Sequence, residues 1–204
     1  MNTDKEKTSY LIGLQVAGNL LAQGVDLDVT SFNKGLDTGL NQGPCEIPQD
    51  EANELLRKLE EGIKEKLQKQ RVAAAEANKK AGEDFLVANS KKDGIKTTPS
   101  GLQYRVIEEG SGDIPTATDT VETHYEGTLI SGEIFDSSIK RGQTVSFPVS
   151  GVIKGWQEAL QLMSVGSKWE VYIPYNLAYG EAGSPPKIGP FSALVFTVEL
   201  INIV

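Results

Sequence analysis

Histidine and cysteine are almost absent from this chain of 204 residues, which contains one of each. The lone Cys45 has no partner for an internal disulfide bond, a usage that fits a reducing compartment. One cysteine and one histidine, His124, also cannot supply a zinc-type cluster of ligands. We therefore expect neither a disulfide framework nor a metal site, and we expect no cofactor.

The chain also lacks an excess of positive charge and a long apolar run. Its formal net charge of -8 gives no positive field for phosphate backbones, so nucleic acid is not an expected partner. The most apolar N-terminal run, YLIGLQVAGNLLAQGV, is interrupted by polar residues and falls short of the roughly 20 apolar residues of a membrane span. The preceding MNTDKEK mixes acids with bases, unlike a secretory signal. We expect no membrane insertion and a cytoplasmic location, or a periplasmic one if a leader was removed before this numbering.

Residues 1–45 predict two short helices. Ser9 can cap the first, and Asp28 or Thr30 can cap the second. Apolar residues share one face of each helix, namely Tyr10, Leu14, Ala17 and Leu21 in the first and Phe32, Leu36 and Leu40 in the second. Helices this short cannot bury that surface by themselves, so we expect residues 1–45 to form a dimerisation domain that pairs with a second copy. Folding back onto the rest of the chain is the alternative.

Residues 46–91 predict one long connecting helix, because residues 48–91 are rich in strong helix formers. An apolar stripe ends at Leu67 and gives way to alanines between Ala73 and Ala81. This change indicates a spacer arm that is packed at its start and solvated through its middle. Gly62 and Gly82 are candidate bending points. A continuous coiled coil is the alternative, although no apolar heptad continues past Leu67.

From Thr97 onward the apolar residues alternate with a period of two. The alternating runs are GLQYRVI, TVETHYEG, TVSFPV, SKWEVYIP and SALVFTVELINIV, and turn signals separate them. One helical stretch, GVIKGWQEAL, interrupts the series. Residues 92–204 therefore predict an α+β domain in which about five antiparallel strands wrap around one short helix.

The sequence offers little for nucleophilic or phosphate chemistry. His124 points opposite to Tyr125 on its strand, so a structural role is favoured over that of a catalytic base. The glycine-rich EGSGD and YGEAGSPPKIG do not lead from a strand into a helix with phosphate-binding spacing. The large side chains that lie beside loops are Tyr125, Phe135, Phe147, Val152, Ile153, Trp156, Tyr179 and Phe196. They would suit an ordinary core, but the adjacent Asp136 and the tyrosine hydroxyls favour a site for an apolar, uncharged ligand.

Five stretches in this order resemble the FKBP-type peptidyl-prolyl isomerases: THYEGTLISGEIFDSS, FPVSGVIKGWQEAL, MSVGSKWEVYIP, LAYGEAG and ALVFTVELINI. The N-terminal SYLIGLQVAGNLLAQGVDL and the long arm resemble the Mip-like bacterial branch, whose members are V-shaped homodimers joined through N-terminal helices. The resemblance implies an α+β fold with an antiparallel half-barrel sheet around the short helix. A long α-helix would join this domain to a small all-α dimerisation domain.

The resemblance also implies a set of site residues. A substrate proline would rest on Trp156, while Tyr179 and the backbone of Ile153 would hydrogen-bond the substrate. Asp136 would lie near the rotating carbonyl, steadied by Arg141. The catalytic residues implied are Tyr125, Asp136 and Tyr179, and the substrate-binding residues implied are Phe135, Arg141, Phe147, Val152, Ile153, Trp156, Ile188 and Phe196.

The resemblance thus predicts a prolyl isomerase that acts on unfolded or partly folded proteins, carries an associated chaperone activity as a homodimer and binds the family's macrolide inhibitors. A chaperone or peptide-binding module with a secondary isomerase pocket is the alternative. A purely structural dimer would not need the constellation of Phe135, Asp136 and Trp156.

Overall fold

Three helices come first in the chain, and a seven-stranded sheet follows. The structure is a computed structural model that describes residues 1–204, and it divides into two compact units, Met1–Gln70 and Arg71–Val204. The helices are α1 (Asp4–Ala22), α2 (Val29–Leu40), α3 (Gln49–Asn89), α4 (Ser138–Arg141) and α5 (Lys154–Leu160). The strands are β1 (Ile95–Thr97), β2 (Gln103–Glu108), β3 (Thr120–Leu129), β4 (Ile134–Ser137), β5 (Val145–Pro148), β6 (Lys168–Ile173) and β7 (Leu194–Ile203). None of the helices combines the length and the apolarity that crossing a bilayer requires.

The first unit begins with a capping box that the sequence analysis missed. The Thr3 side chain accepts a hydrogen bond from the Glu6 N–H, and the Glu6 carboxylate accepts one from the Thr3 N–H. The predicted start at Ser9 was therefore wrong, because a reciprocal pair of caps satisfies two free main-chain N–H groups. Ser9 lies inside α1, where its hydroxyl donates to a carbonyl one turn earlier. For α2 the cap is Asp28, one of the two predicted residues.

The apolar residues of the first unit are largely exposed within the single chain. Val25 is its one buried residue, and α1 contains none. Leu14 is 53% exposed and Tyr10 is 52% exposed, although both lie on the predicted apolar face. A monomeric protein rarely leaves so contiguous an apolar surface in water.

The second unit is built on an antiparallel sheet in the order β1-β2-β6-β7-β3-β4, and β5 also pairs with β3. The five predicted strands are present as β2, β3, β5, β6 and β7. The sheet adds β1 and β4, which are too short for a period of two to reveal. Along one edge of β3, residues 120–123 pair with β5 and residues 126–128 pair with β4. Tyr125 falls in the gap between these partners. The Ser138 hydroxyl completes the main-chain hydrogen bonding of Tyr125 on this edge, because it accepts from the Tyr125 N–H at 2.7 Å and donates to the Tyr125 carbonyl at 3.2 Å.

The predicted alternation places the core on one face of the sheet. Its buried side chains include Leu102, Val121, Val171, Ile173, Leu194, Val198 and Leu200, and α5 adds Trp156, Ala159 and Leu160. Gly155 allows α5 to approach β6 closely, because a Cβ atom at this position would lie 2.5 Å from Cγ2 of Ile173.

The C-terminal part of α3 belongs to the second unit and packs against the rest of that unit. Four of the five alanines between Ala73 and Ala81 are exposed, as the prediction of a solvated middle requires, and the close packing of the helix lies beyond them. The apolar stripe at the start of the helix, predicted to be packed, is instead exposed within the single chain at Leu55, Leu59 and Leu67.

A Cβ atom on Gly82 would lie 3.0 Å from that of Ala193, and Asn89 is fully buried with its amide donating to Gln103 at 3.0 Å. Small side chains leave the helix axis free to come close to a neighbouring surface. The glycine at position 82 therefore marks a packing contact.

The close approach at Gly155 generates a stability prediction. Gly155→Ala should lower the free energy of unfolding of the second unit by about 1 to 3 kcal/mol, because Ile173 is fully buried and cannot move aside freely. Urea unfolding followed by tryptophan fluorescence measures this unit, since both tryptophans, Trp156 and Trp169, lie in it. Lys154→Ala on the exposed side of α5 is the control and should change stability little. Equal stability of the two variants would contradict the packing argument.

Candidate active site

A cavity of about 300 Å³ opens on the concave side of the sheet next to α5. Its lining residues are Tyr125, Phe135, Asp136, Phe147, Gly151, Val152, Ile153, Trp156, Tyr179 and Phe196. Nine of these are residues that the sequence analysis assigned to the site, and Gly151 is the addition. Alternate positions of β3 and β7 place Tyr125 and Phe196 on this face, while the turn before α5 supplies Val152 and Ile153.

Trp156 forms the floor of the cavity, and three rings stand around it. The rings of Tyr125 and Phe196 each lie 5.3 Å from the indole, and that of Phe147 lies at 5.9 Å. Their planes make angles of 88°, 83° and 79° with the indole plane. Edge-to-face contacts of this kind are favourable, and they fix the walls upright over a flat apolar base.

A second glycine makes room for the aromatic wall. Phe135 and Phe196 pack edge to face with centroids 5.5 Å apart, directly over Gly127 of β3. A Cβ atom on Gly127 would lie 2.6 Å from Phe135 and 2.7 Å from Phe196. The strand therefore needs a residue without a side chain here. The sequence analysis missed Gly127, whose only signal was a glycine inside a strand pattern.

A charged trio occupies one wall. The Tyr125 hydroxyl donates to Oδ2 of Asp136 at 2.5 Å, and the Arg141 guanidinium donates to Oδ1 of Asp136 and, at 3.1 Å, to the Tyr125 oxygen. Arg141 does not line the cavity, but it lies behind Asp136 and holds the carboxylate in place. The side chains of Tyr125 and Arg141 thus fix the orientation of the Asp136 carboxylate before any substrate binds.

Two hydrogen-bond donors at the cavity have no partner within the chain. The Tyr179 hydroxyl lies at the rim, where the residue is 39% exposed, and the N–H of Ile153 lies at the start of α5. Gln157 fixes the turn before Ile153, because its amide donates to the Val152 carbonyl at 2.7 Å. Both donors are therefore available to a bound molecule.

Other residues of interest lie away from the cavity. Ile188 is only 4% exposed and packs in the core, so the structure does not bring it to the site with the other assigned residues. Lys187, its neighbour, donates to the Phe135 carbonyl at 2.7 Å, a contact with no sequence signal. His124 does not line the cavity either, and its Nδ1 lies 2.9 Å from the Ser138 hydroxyl.

Two family models match the chain over almost its whole length. The model described as FKBP-type peptidyl-prolyl cis-trans isomerase matches residues 112–201, which include the entire cavity. The model described as the domain amino terminal to FKBP-type peptidyl-prolyl isomerase matches residues 5–106.

Similar proteins extend the match to the full chain. The FKBP-type 22 kDa peptidyl-prolyl cis-trans isomerase of Escherichia coli is 46% identical, with 99% of this chain and 97% of that protein covered. The chain belongs to the FKBP-type peptidyl-prolyl cis-trans isomerases. Peptidyl-prolyl cis-trans isomerase Mip of Coxiella burnetii is 40% identical over 100% of this chain and 88% of that protein. The crystal structure of FkpA from Escherichia coli superposes with a TM-score of 0.77 at 35% identity, covering 100% of this chain and 98% of that one.

The charged trio of this isomerase keeps one ionisation state over a wide pH range. Burial alone would raise the pKa of Asp136, but hydrogen bonds from Tyr125 and Arg141 outweigh it and bring the pKa below the usual 3.8. Burial raises the pKa of Tyr125 above 10.0, and its bond to the carboxylate of Asp136 raises it further. At neutral pH the wall therefore carries an ionised carboxylate, a neutral phenol and a guanidinium cation.

This assignment predicts a flat pH profile. The kcat/KM for a proline-containing tetrapeptide should be constant between roughly pH 5 and pH 9, because no group of the trio titrates there. Since the folded pKa of Asp136 is lowered, the stabilisation from its ion pair is complete above the unfolded value of 3.8 and is lost as the pH falls through the folded pKa. Activity and stability should decline together below about pH 4. His124→Gln is the control, and a pH profile that this variant changes would contradict the assignment.

Proposed function

We propose that this isomerase catalyses X-Pro rotation in unfolded or partly folded proteins by seating the proline ring on Trp156. The observation that carries the proposal is the apolar floor enclosed by three upright rings, beside a carboxylate that is already oriented. A proline ring is compact, apolar and uncharged, so it fits a base of this kind. Phe135, Val152 and Ile153 complete the walls of the cavity.

The reaction needs no nucleophile, acid or base. Rotation about a peptide bond is opposed by about 18 to 20 kcal/mol of lost resonance, whereas the trans preference at X-Pro is only about 0.5 to 1 kcal/mol. An apolar cavity disfavours the strongly dipolar planar amide relative to the twisted one, and donors placed for the twisted geometry favour it further. Removing about 7 kcal/mol of barrier would accelerate rotation by roughly five powers of ten.

Each polar group then has a defined role. The Tyr179 hydroxyl and the Ile153 N–H donate to substrate carbonyls on either side of the proline. Asp136 provides a fixed negative charge near the rotating carbonyl, and Tyr125 and Arg141 prevent it from turning away. Because the cavity is open to solvent and must accept both isomers, it cannot bind one of them too tightly.

Pocket variants test this assignment. Asp136→Ala should lower kcat/KM for a tetrapeptide by roughly 10- to 100-fold, and Tyr125→Phe should lower it by less, because the carboxylate remains but loses one donor. Glu133→Ala, an exposed acid on the neighbouring turn, is the control and should behave as the wild type. A macrolide inhibitor of the family should compete with the peptide. Full activity of Asp136→Ala would refute the role of the charged trio.

A chaperone activity that does not need the pocket is the second candidate function. The exposed apolar side chains of the first part of α3, such as Leu55, Leu56 and Leu59, favour it because they offer a surface for unfolded chains. Asp136→Ala would then suppress aggregation of a denatured test protein as well as the wild type does. If Asp136→Ala lost isomerase activity and suppression of aggregation equally, the pocket would be responsible for the chaperone activity as well.

We also infer that residues 1–45 pair with a second copy of the chain. The exposed apolar face of α1 supports this, since no residue of that helix is buried within one chain. A dimer would present two cavities to one client protein.

A charge placed on this face tests the pairing. Leu14→Glu should convert a particle of twice the chain mass into a monomer in sedimentation equilibrium, because an unpaired carboxylate would be buried at the interface. Leu162→Glu, at a residue 44% exposed in the second unit, is the matched control and should remain dimeric. The Leu14→Glu monomer should retain tetrapeptide activity but lose activity on protein substrates. A monomeric wild-type chain, or a dimeric Leu14→Glu variant, would refute pairing through α1.

A further inference from the structure

The segment that carries Tyr179 is a long connection between a three-residue turn and the last strand of the sheet. We call residues 178–192 the rim loop; they join the turn Tyr175–Leu177 to β7. Within the rim loop, Ser184 and Ile188 exchange two main-chain hydrogen bonds of 2.9 and 3.0 Å. Its base is closed by one bond, in which the Phe191 N–H donates to the Gly180 carbonyl at 3.1 Å. Tyr179 therefore precedes a closed loop whose base lies next to it.

Side-chain hydrogen bonds join the rim loop to two other elements. On the cavity side, Lys187 of the loop donates to the Phe135 carbonyl. On the opposite side, Nδ2 of Asn78 in α3 donates to the Pro190 carbonyl at 2.9 Å and lies 3.4 Å from the Ser192 hydroxyl. The next residue of the helix, Lys79, places its ammonium group 5.8 Å from the centre of the Phe191 ring. The helix thus contacts the base of the loop, directly beside the Gly180–Phe191 bond.

Two further residues of the rim loop, Gly189 and Ser192, accommodate the Asn78 amide. A Cβ atom on Gly189 would lie 2.8 Å from Nδ2 of Asn78, so the loop needs a glycine where the amide approaches. Ser192 donates its own proton to the Gly189 carbonyl at 2.9 Å, which leaves its oxygen free to accept from Asn78. Two protons of one amide therefore meet two acceptors of the loop, and a third loop residue makes room for them.

Helix propensity does not explain the asparagine at position 78. Between Ala73 and Ala81 five of the nine residues are alanine and the other three besides Asn78 are charged. Asparagine is a poorer helix former than alanine because its amide competes for main-chain hydrogen bonds. Asn78 is half-buried, and its donors are used outside the helix.

We propose that Asn78 is a positioning residue of the isomerase, which fixes the base of the rim loop and thereby the Tyr179 hydroxyl at the cavity. The proposal rests on the role given to Tyr179 under Proposed function. A donor held in place before the substrate binds stabilises the twisted amide without reorganisation, whereas a donor on a loosened loop does not. The connecting helix in this way takes part in catalysis from outside the cavity.

The test is a double-mutant cycle in the full-length chain with a tetrapeptide substrate. Asn78→Ala should lower kcat/KM about three- to tenfold, and Asn78→Asp should do the same, since it keeps the shape but cannot donate. Tyr179→Phe should also lower kcat/KM. In the Tyr179→Phe background, Asn78→Ala should cost less than twofold, because two residues that act through one hydroxyl are not additive.

Controls separate this outcome from damage to the fold. Glu76→Ala, on the same helix and exposed, should leave kcat/KM unchanged. Urea unfolding should show that Asn78→Ala remains folded, since alanine strengthens the helix that carries it. Additive losses in the cycle, or an Asn78→Ala enzyme with wild-type activity, would overturn the positioning role while leaving that of Tyr179 intact. Wild-type activity of Tyr179→Phe would refute the role of the hydroxyl itself, and the positioning role with it.

Discussion

The close approach of α5 to β6 at Gly155 is the constraint on which the site depends. Because no side chain separates the helix from Ile173, the next residue, Trp156, lies low enough to form a floor with space above it. Three rings from different strands then meet the indole at nearly right angles. A larger residue at position 155 would lift the floor into the cavity. The core and the site are therefore one packing arrangement, in which the cavity is the part that the side chains leave unfilled.

The charged wall follows from the same arrangement. Tyr125 belongs to the ring of aromatic walls through its phenyl group and to the charged trio through its hydroxyl. Its bond to Asp136 keeps a carboxylate ionised next to apolar side chains, where an unpaired charge would be costly. The chemistry of the reaction explains why this is sufficient. Since no bond to hydrogen or carbon is made or broken, a fixed charge, two free donors and an apolar surface can lower the barrier without histidine, cysteine or metal.

The sequence predicted those parts of the site that follow from strand periodicity. Alternation placed Tyr125 and Phe196 on the concave face and His124 on the other, and the structure agrees. It could not reveal contacts between segments far apart in the chain, such as that of Lys187 with the Phe135 carbonyl. Nor does a strand pattern show that Gly127 must lack a side chain, because the need arises from two rings contributed by other strands. Ile188 was assigned by resemblance alone, and its burial depends on how the loop folds inward.

The connecting helix is exposed to solvent over most of its alanine-rich stretch and makes tertiary contacts along one face. A run of small residues was interpreted as a solvated spacer, and most of its alanines are exposed, yet the absence of large side chains also lets one face of the helix approach a neighbouring segment. Periodicity cannot separate these cases, since alanine contributes little to an apolar stripe. The polar residues do separate them: Asn78 and Asn89 are poor helix formers whose amides bond to the rim loop and to Gln103. Within this alanine-rich stretch the asparagine therefore marks the face that makes a tertiary contact, while most of the alanines face solvent. The catalytic fold of this isomerase accordingly extends into α3 at least as far as Asn78.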